Sequence, residues 1–578
     1  MTTIPDLKQS PPPLSPSRSA PTPFRPRDYS FESIARGAGR ERLLLISMVG
    51  AVAARIAFWA ITNRMFDDGL TTITHARNVP LGLGLVNHPG EGPVHGFTSA
   101  LGVLIPLTGE LIHEGSGMLA IRVASLVAVC VALVYARLIC RDLGLGAFPT
   151  GFLLAYLAFD QNMIFFGMSG METEVAVAVI LGGVYHVRRL DTIPSGVWLG
   201  LAPLARPEFV LWVAPALAYL AMSNLARARR SAGIAGLIVA PWLMFTTLYY
   251  GSPVPNTVVA KSTIAPIPAF LSGGSALPWM EWLVRQVVGH LALLLDHVEP
   301  FREVWSTADT PIPTLVLIAV AVLVADFFVI GILATRRIDG FWPVNVFLGL
   351  FLAYRIYFIP VVLYYDWYLP PLLALVMLVV AIGLDQVAKS AGGAKRYWTP
   401  TAAAFVSSSV AAGLAIAFAV HLPFSFVVES RVQSIENQVR TPMALYLKSR
   451  VTPGQSVVSE SAGYVSFYSD VKLYDYPGLT SKTSVNAFQG LPPNRRDLAH
   501  LVAVLQPDWI VLRPWELDSL QREFPAIGAK YATDRVFEVP GVPESELNRE
   551  SGLKVSFGGF TEVDLDGKFI VLKRTAQP

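Results

Sequence analysis

Residues 43–70 read LLLISMVGAVAARIAFWAITNRMFDDGL. The apolar run 43–62 is long enough to cross roughly 30 Å of hydrocarbon as a helix. It is followed within a few residues by an acidic pair, Asp67 and Asp68. That pair opens a polar stretch through Arg77-Asn78, Gly82, Gly84, Asn87-His88-Pro89-Gly90-Glu91 and His95-Gly96-Phe97-Thr98. Ionisable groups held against a membrane are costly, so their default reading is a functional site.

The rest of the chain supports a membrane setting. It is 53% hydrophobic and 15% charged, unlike an ordinary soluble domain. The net charge of +3 is small, and no nucleic-acid partner is expected. Cys130 and Cys140 fall in one apolar segment, so no disulfide framework is implied. Residues 1–42 carry proline at 5, 11, 12, 13, 16, 21, 23 and 26 among Ser, Thr and Arg. Such a stretch buries too little apolar surface to offset its ordering entropy and reads as a disordered cytoplasmic tail. A cleaved signal would place its apolar region nearer the start, so 43–62 reads as a retained span.

Further candidate spans are 118–139, 145–165, 173–188, 195–205, 209–225, 232–250, 312–334, 342–361, 367–386 and 400–422. With 43–62 they make eleven crossings of an α-helical polytopic protein. Basic clusters at Arg36/Arg40/Arg42, Arg137/Arg141, Arg188/Arg189, Arg227/Arg229/Arg230, Arg336/Arg337 and Lys389/Lys395/Arg396 then share one face. By the positive-inside bias that face is cytoplasmic. The opposite face receives the Asp67–His113 loop, the Gly167–Glu174 turn, the Arg206-Pro207-Glu208 corner, the Gly251–Thr310 loop, Tyr364–Trp367 and everything after His421. Mid-span charges are few, Asp326 being the clearest. Segments 70–79 and 98–113 are too short to span and read as two helices lying along the outer surface.

From 423 to 578 the composition changes. β-prone runs at Ser456–Ser459, Tyr464–Tyr468, Trp509–Leu512 and Phe569–Leu572 alternate with helical patterns such as Leu498–Leu505. About 155 residues suffice for one extracytoplasmic α/β domain.

A carboxylate at the membrane surface can serve as a general base toward an acceptor hydroxyl. Its neighbour can orient it, raise its pKa, or join it in holding a divalent cation. A lipid-phosphate leaving group needs cationic partners, for which Arg64, Arg77, Arg206, Lys261 and Arg355 are candidates on the same face. Glu172, Glu208 and Asn256 sit at neighbouring corners. The bland reading of Asp67 and Asp68 is a helix N-terminal cap, where carboxylates are favoured anyway. His75, His88 and His95 are spaced by 13 and 7 residues, which matches no zinc template.

The runs Asp67-Asp68-Gly69-Leu70, Ala76-Arg77-Asn78, Gly82-Leu83-Gly84-Leu85-Val86, Asn87–Glu91 and Val94-His95-Gly96-Phe97-Thr98-Ser99 together resemble the first extracytoplasmic loop of bacterial GT-C glycosyltransferases. Gly170-Met171-Glu172-Thr173, Ala205-Arg206-Pro207-Glu208 and Tyr249–Thr257 follow in the same order. The set is most similar to the branch of mycobacterial terminal arabinofuranosyltransferases, over roughly 60–425. The resemblance implies a multi-pass protein of the bacterial plasma membrane with two juxtamembrane helices and a C-terminal outer domain. It implies a polyprenyl-phosphate sugar donor, with arabinofuranose among the candidate sugars, and a cell-envelope glycan acceptor. Asp67 or Asp68 would be the base of an inverting transfer, with Asp67 slightly preferred. Arg77, Arg206, Glu208, Lys261, His95, Glu172, Asn256 and Arg355 would contact substrate. His95 departs from the glutamate or other polar residue of many relatives, which bears on acceptor contacts. The competing reading is a transporter or flippase of lipid-linked glycans. Such proteins carry paired repeats and midplane polar groups, and no repeat is visible here. A third reading is an inactive relative serving as a scaffold.

Overall fold

The structure is a computed structural model describing residues 31–264, 312–358, 366–393, 425–492, 495–548, 553–556 and 562–575, with a few isolated positions between. Most of the proline-rich tail, the candidate span 400–422 and residues 285–311 of the outer loop lie outside the described residues. The chain divides into Met1–Leu43, whose described part is helical, and Leu44–Pro578, which holds everything that follows.

The first two thirds are helical: α1 (Phe31–Thr62), α2 (Asp67–Arg77), α3 (Ala100–Ile112), α4 (Gly117–Asp142), α5 (Ala147–Phe159), α6 (Gln161–Met168), α7 (Thr173–Arg189), α8 (Thr192–Ala205), α9 (Val210–Ser223), α10 (Leu225–Tyr250) and α11 (Asn256–Ile264). Helices Ile312–Thr335, Trp342–Phe358 and Leu369–Gly393 follow. Glu41–Thr62, Gly117–Asp142, Ala147–Met168, Leu225–Tyr250 and Leu369–Lys389 are long and apolar enough to cross a membrane, and shorter apolar helices accompany them. The protein is a multi-pass helical membrane protein.

Local chemistry explains the breaks. The run 145–165, expected as one span, divides at Asp160, whose backbone is extended and whose carboxylate accepts the Met163 N–H at 2.8 Å to start α6. Arg206 is extended ahead of Pro207, which separates α8 from α9 by a single 3₁₀ turn. Ser99 opens α3 by accepting the Gly102 N–H at 2.9 Å, and Gly251, at φ +79°, closes α10.

The interior holds a charge pair that the sequence did not single out. Arg55 of α1 donates through Nε to Glu174 Oε1 at 2.9 Å and through Nη1 to the Ala158 carbonyl at 2.7 Å. Both side chains are buried, so the pair ties α1 to α5 and α7. Asp326, read as the clearest mid-span charge, is exposed.

The C-terminal region contains a five-stranded mixed sheet ordered β2-β1-β3-β7-β4. Its strands are β1 (Ser456–Ser459), β2 (Lys472–Asp475), β3 (Trp509–Leu512), β4 (Tyr531–Glu538) and β7 (Lys568–Arg574), while β5 (Leu553–Ser556) and β6 (Glu562–Leu565) pair separately. β1 runs parallel to β2 and β3, and β7 lies antiparallel between β3 and β4. Alternate residues of β3 serve different layers. Trp509 and Val511 pack with Met443, Leu447 and Val465, whereas Ile510 and Leu512 pack with Leu498, Leu501 and Leu520. Burial on both faces explains why β3 reads as an unbroken apolar run.

One expectation is overturned. Tyr464–Tyr468, read as β-prone, lies in the helix Ala462–Ser469. The β-branched and aromatic content of that run is outweighed by tertiary packing, and its first turn is capped from a distant part of the chain.

Candidate active site

Four contacts place the segment that carries the acidic pair. Arg122 of α4 donates to Asn63 Oδ1 at 3.0 Å and to the Arg64 carbonyl at 2.8 Å, holding the turn after α1. The Phe66 N–H donates to the Ser169 carbonyl at 3.0 Å. Gly69 packs so closely on Gly170 that an added Cβ would stand 3.0 Å from the Gly170 carbonyl oxygen. Arg64 turns the other way, pairing with Glu429 at 2.9 Å and donating to Gln433 at 3.2 Å.

On α2 the two aspartates have different neighbours. Consecutive helical residues project about 100° apart, so they cannot share one environment. Asp67 faces the C-terminal region. Its Oδ2 accepts the Gly463 N–H and its Oδ1 the Tyr464 N–H, each at 3.0 Å. These donors belong to the first turn of Ala462–Ser469, whose own Ser461 makes no side-chain cap. Asp67 is therefore an N-terminal cap, as the bland reading held, but of a helix from the other end of the chain. A Cβ at position 463 would run into the Asp67 carbonyl oxygen, so glycine is required there.

Asp68 lines an open cleft of about 460 Å³ with Thr71, Thr72, the Gly96–Ser99 segment, Glu172, Arg206, Thr257, Lys261, Trp367 and Leu479. Burial pushes the Asp68 carboxyl up to about 6. The carboxylates of Asp67 and Glu172 add to the rise, while Lys261 and Arg206 oppose it. Arg206 Nε sits 3.0 Å from Glu172 Oε1, and its guanidinium lies over the Tyr368 ring. The Lys261 ammonium lies 5.7 Å from the centre of the Trp367 ring. Burial holds Lys261 below the usual lysine range, partly offset by Asp68. The cleft thus places one elevated carboxyl beside two cations in a partly desolvated wall.

The structure brings Asp68, Glu172, Arg206 and Lys261 together in this cleft. Five other sequence candidates sit elsewhere. Arg77, expected to meet a donor phosphate, instead donates to the Phe467 carbonyl and to Asp470, so its charge is used against the C-terminal region. Asn256 donates to the Gly478 and Leu479 carbonyls at 2.7 and 3.1 Å, fixing the loop that carries Leu479 to the cleft rim. Arg355 is buried in Trp342–Phe358, and Glu208 is buried beside Arg206; neither is among the cleft-lining residues. His95 stacks on Tyr250 at 4.8 Å and 5° and fronts a second cleft.

Sequence reading put Trp367 on the outer face without a role and missed Arg122, Gly463 and Leu479. An arginine inside an otherwise apolar span was a usable signal for Arg122; nothing local marked the others. Among the described residues, one group has ligand atoms spaced for a metal, Asp497, His500 and Glu523. It lies in the C-terminal region, where Asp497 already accepts the His500 N–H at 2.8 Å as a helix cap. His75, by contrast, is committed through Nδ1 to the Thr71 carbonyl at 2.8 Å.

A family model described as "Domain of unknown function (DUF8728)" matches residues 431–552, which include the helix Ala462–Ser469 and strands β1 to β4. No curated protein matches the chain in sequence. Among solved structures, the chain is similar to ArnT from Cupriavidus metallidurans bound to undecaprenyl phosphate, at 11% identity and a TM-score of 0.48, over 92% of this chain and 98% of that one. It is also similar to ArnT from the same organism in the apo state, at 12% identity and a TM-score of 0.44, over 84% of this chain and 95% of the other.

Proposed function

We propose that the protein is a GT-C-type glycosyltransferase that moves a sugar from a polyprenyl-phosphate donor to a glycan acceptor at the outer membrane face, with Asp68 as general base. The observation that carries this reading is the division of labour on α2. Asp67 spends both carboxylate oxygens on backbone donors, while Asp68 faces the cleft with its carboxyl raised to about 6. A base with that value is mostly ionised near neutral pH and stronger than an ordinary aspartate.

In the proposed step Asp68 takes the proton of an acceptor hydroxyl as its oxygen bonds to the anomeric carbon. The bond from that carbon to the phosphate oxygen breaks, and the polyprenyl phosphate leaves with the electron pair. Lys261 and Arg206 would meet the growing negative charge, with Arg206 aligned by Glu172. Attack opposite the leaving group inverts the anomeric centre. Arabinofuranose is one candidate sugar from the sequence resemblance. No step requires a cation, although Asp68 and Glu172 would be the carboxylates to hold one.

The test is transfer from a synthetic polyprenyl-phosphate sugar by the purified full-length protein. Asp68→Asn is expected to lower turnover at least about 100-fold with donor binding retained. Full turnover in that variant would remove Asp68 from the mechanism.

A further inference from the structure

A second, open cleft of about 610 Å³ lies beside the first and differs from it in chemistry. Helix α11 forms a partition between the two. Asn256 and Val259, one turn apart, front the second cleft, while Thr257 and Lys261, also one turn apart, front the first. The preceding loop divides in the same way, with His95 on one side and Gly96–Ser99 on the other.

Among the described residues, the second cleft is lined by a single charged side chain. Its one cation, Lys482, donates to the Tyr250 carbonyl at 3.0 Å. The remaining polar lining is neutral: the amides of Asn486 and Gln489, bonded to each other at 2.9 Å, Ser252, and the imidazole of His95. His95 is 3% exposed, and neither ring nitrogen has a protein partner. Leaving such groups unpaired costs about 1–3 kcal/mol, so the position calls for an explanation. Burial holds the ring neutral, with one donor and one acceptor nitrogen, the complement of a hydroxyl group. Val485 and the Tyr250 ring add apolar surface. Neutral donors and acceptors over apolar patches suit a polyhydroxylated ligand, and one lysine offers a phosphate less than Lys261 and Arg206 of the first cleft do.

We propose that this second cleft binds the neutral carbohydrate chain of the acceptor behind its reacting end, leaving the charged first cleft to the donor and the acceptor's reacting hydroxyl. The inference rests on the transferase reading above and assigns it a substrate class and a place.

The experiment is binding of a panel of neutral linear pentose and hexose oligosaccharides, four to six units long, to the full-length protein in lipid nanodiscs. Asn486, Gln489 and Lys482 are exposed, so substituting the first two leaves the packing alone. At least one oligosaccharide is expected to bind wild type saturably, and the double variant Asn486→Ala/Gln489→Ala to bind it at least tenfold more weakly. Failure of every oligosaccharide to bind, equal binding by the double variant, or displacement of the oligosaccharide by sugar-free polyprenyl phosphate would each overturn the assignment. Oligosaccharide binding needs no turnover, so Asp68→Asn separates the two readings. A fully active Asp68→Asn protein sinks the mechanism and leaves this cleft standing, and loss of the cleft leaves Asp68 standing.

Discussion

The Asp67 carboxylate accepts the Tyr464 N–H at 3.0 Å across 397 residues of sequence. Together with the Gly463 contact, it makes the first turn of a C-terminal helix depend on the loop that also carries Asp68. The region from 462 to 480 is thereby clamped over the cleft. Asn256 holds its far end through the Gly478 and Leu479 carbonyls, and Asp475 folds the same loop by accepting the Thr480 N–H at 2.9 Å.

Substituting the two aspartates is expected to separate stability from chemistry. Asp67→Ala removes two capping acceptors, each such loss costing about 1 kcal/mol. It should lower the melting temperature and speed proteolysis after residue 450, with transfer reduced no more than about tenfold because the base remains. Asp68→Asn should melt like wild type and lose transfer. Matching thermal and kinetic losses in both variants would contradict the division of roles.

Gly463→Ala is a sharper probe of the same contact. The new methyl meets backbone rather than a movable side chain, so the helix must shift away from α2. Such overpacking costs about 1–3 kcal/mol. An unchanged melting temperature would show that the two helices do not approach as described.

The rate of transfer is expected to depend on pH through Asp68. Below about 6 its carboxyl is protonated and cannot accept a proton, so kcat/KM should rise with pH and level off above that value. Glu172→Gln removes a like charge and should move the acid limb lower, whereas Lys261→Met removes a counter-charge and should move it higher. Shifts of the opposite sign in rate profiles would reject Asp68 as the titrating group.

The two cations are expected to differ in what they cost. Arg206→Ala leaves Glu172 buried without its partner, a loss of about 3–5 kcal/mol that should show in unfolding. Lys261→Met removes the cation beside the Asp68 carboxyl and leaves the Arg206–Glu172 pair in place. It should leave the melting temperature close to wild type and raise the donor KM about tenfold, a loss near 1.4 kcal/mol. Steady-state kinetics beside a thermal scan distinguishes the cases.

Local pattern made much of this legible. Strands β1 and β3 fall on Ser456–Ser459 and Trp509–Leu512 because each is a short apolar run bounded by turn residues. The helix read at 70–79 exists as α2, but most of it is buried between α3 and Ala462–Ser469 rather than lying on an open surface. The misread run at Tyr464–Tyr468 is the instructive failure. Its side chains favour a strand, and the carboxylate that caps it as a helix belongs to Asp67.

The sequence by itself determined the apolar lengths that make spanning helices, the polar loop after α1 and the acidic pair that heads it. Those properties depend on residue type and short-range periodicity, which a single chain displays directly. Only the tertiary structure decided that Asp67 caps a distant helix while Asp68 faces Lys261 and Arg206. Adjacent side chains on a helix point about 100° apart, so the pair was bound to divide. What each meets is set by segments hundreds of residues away.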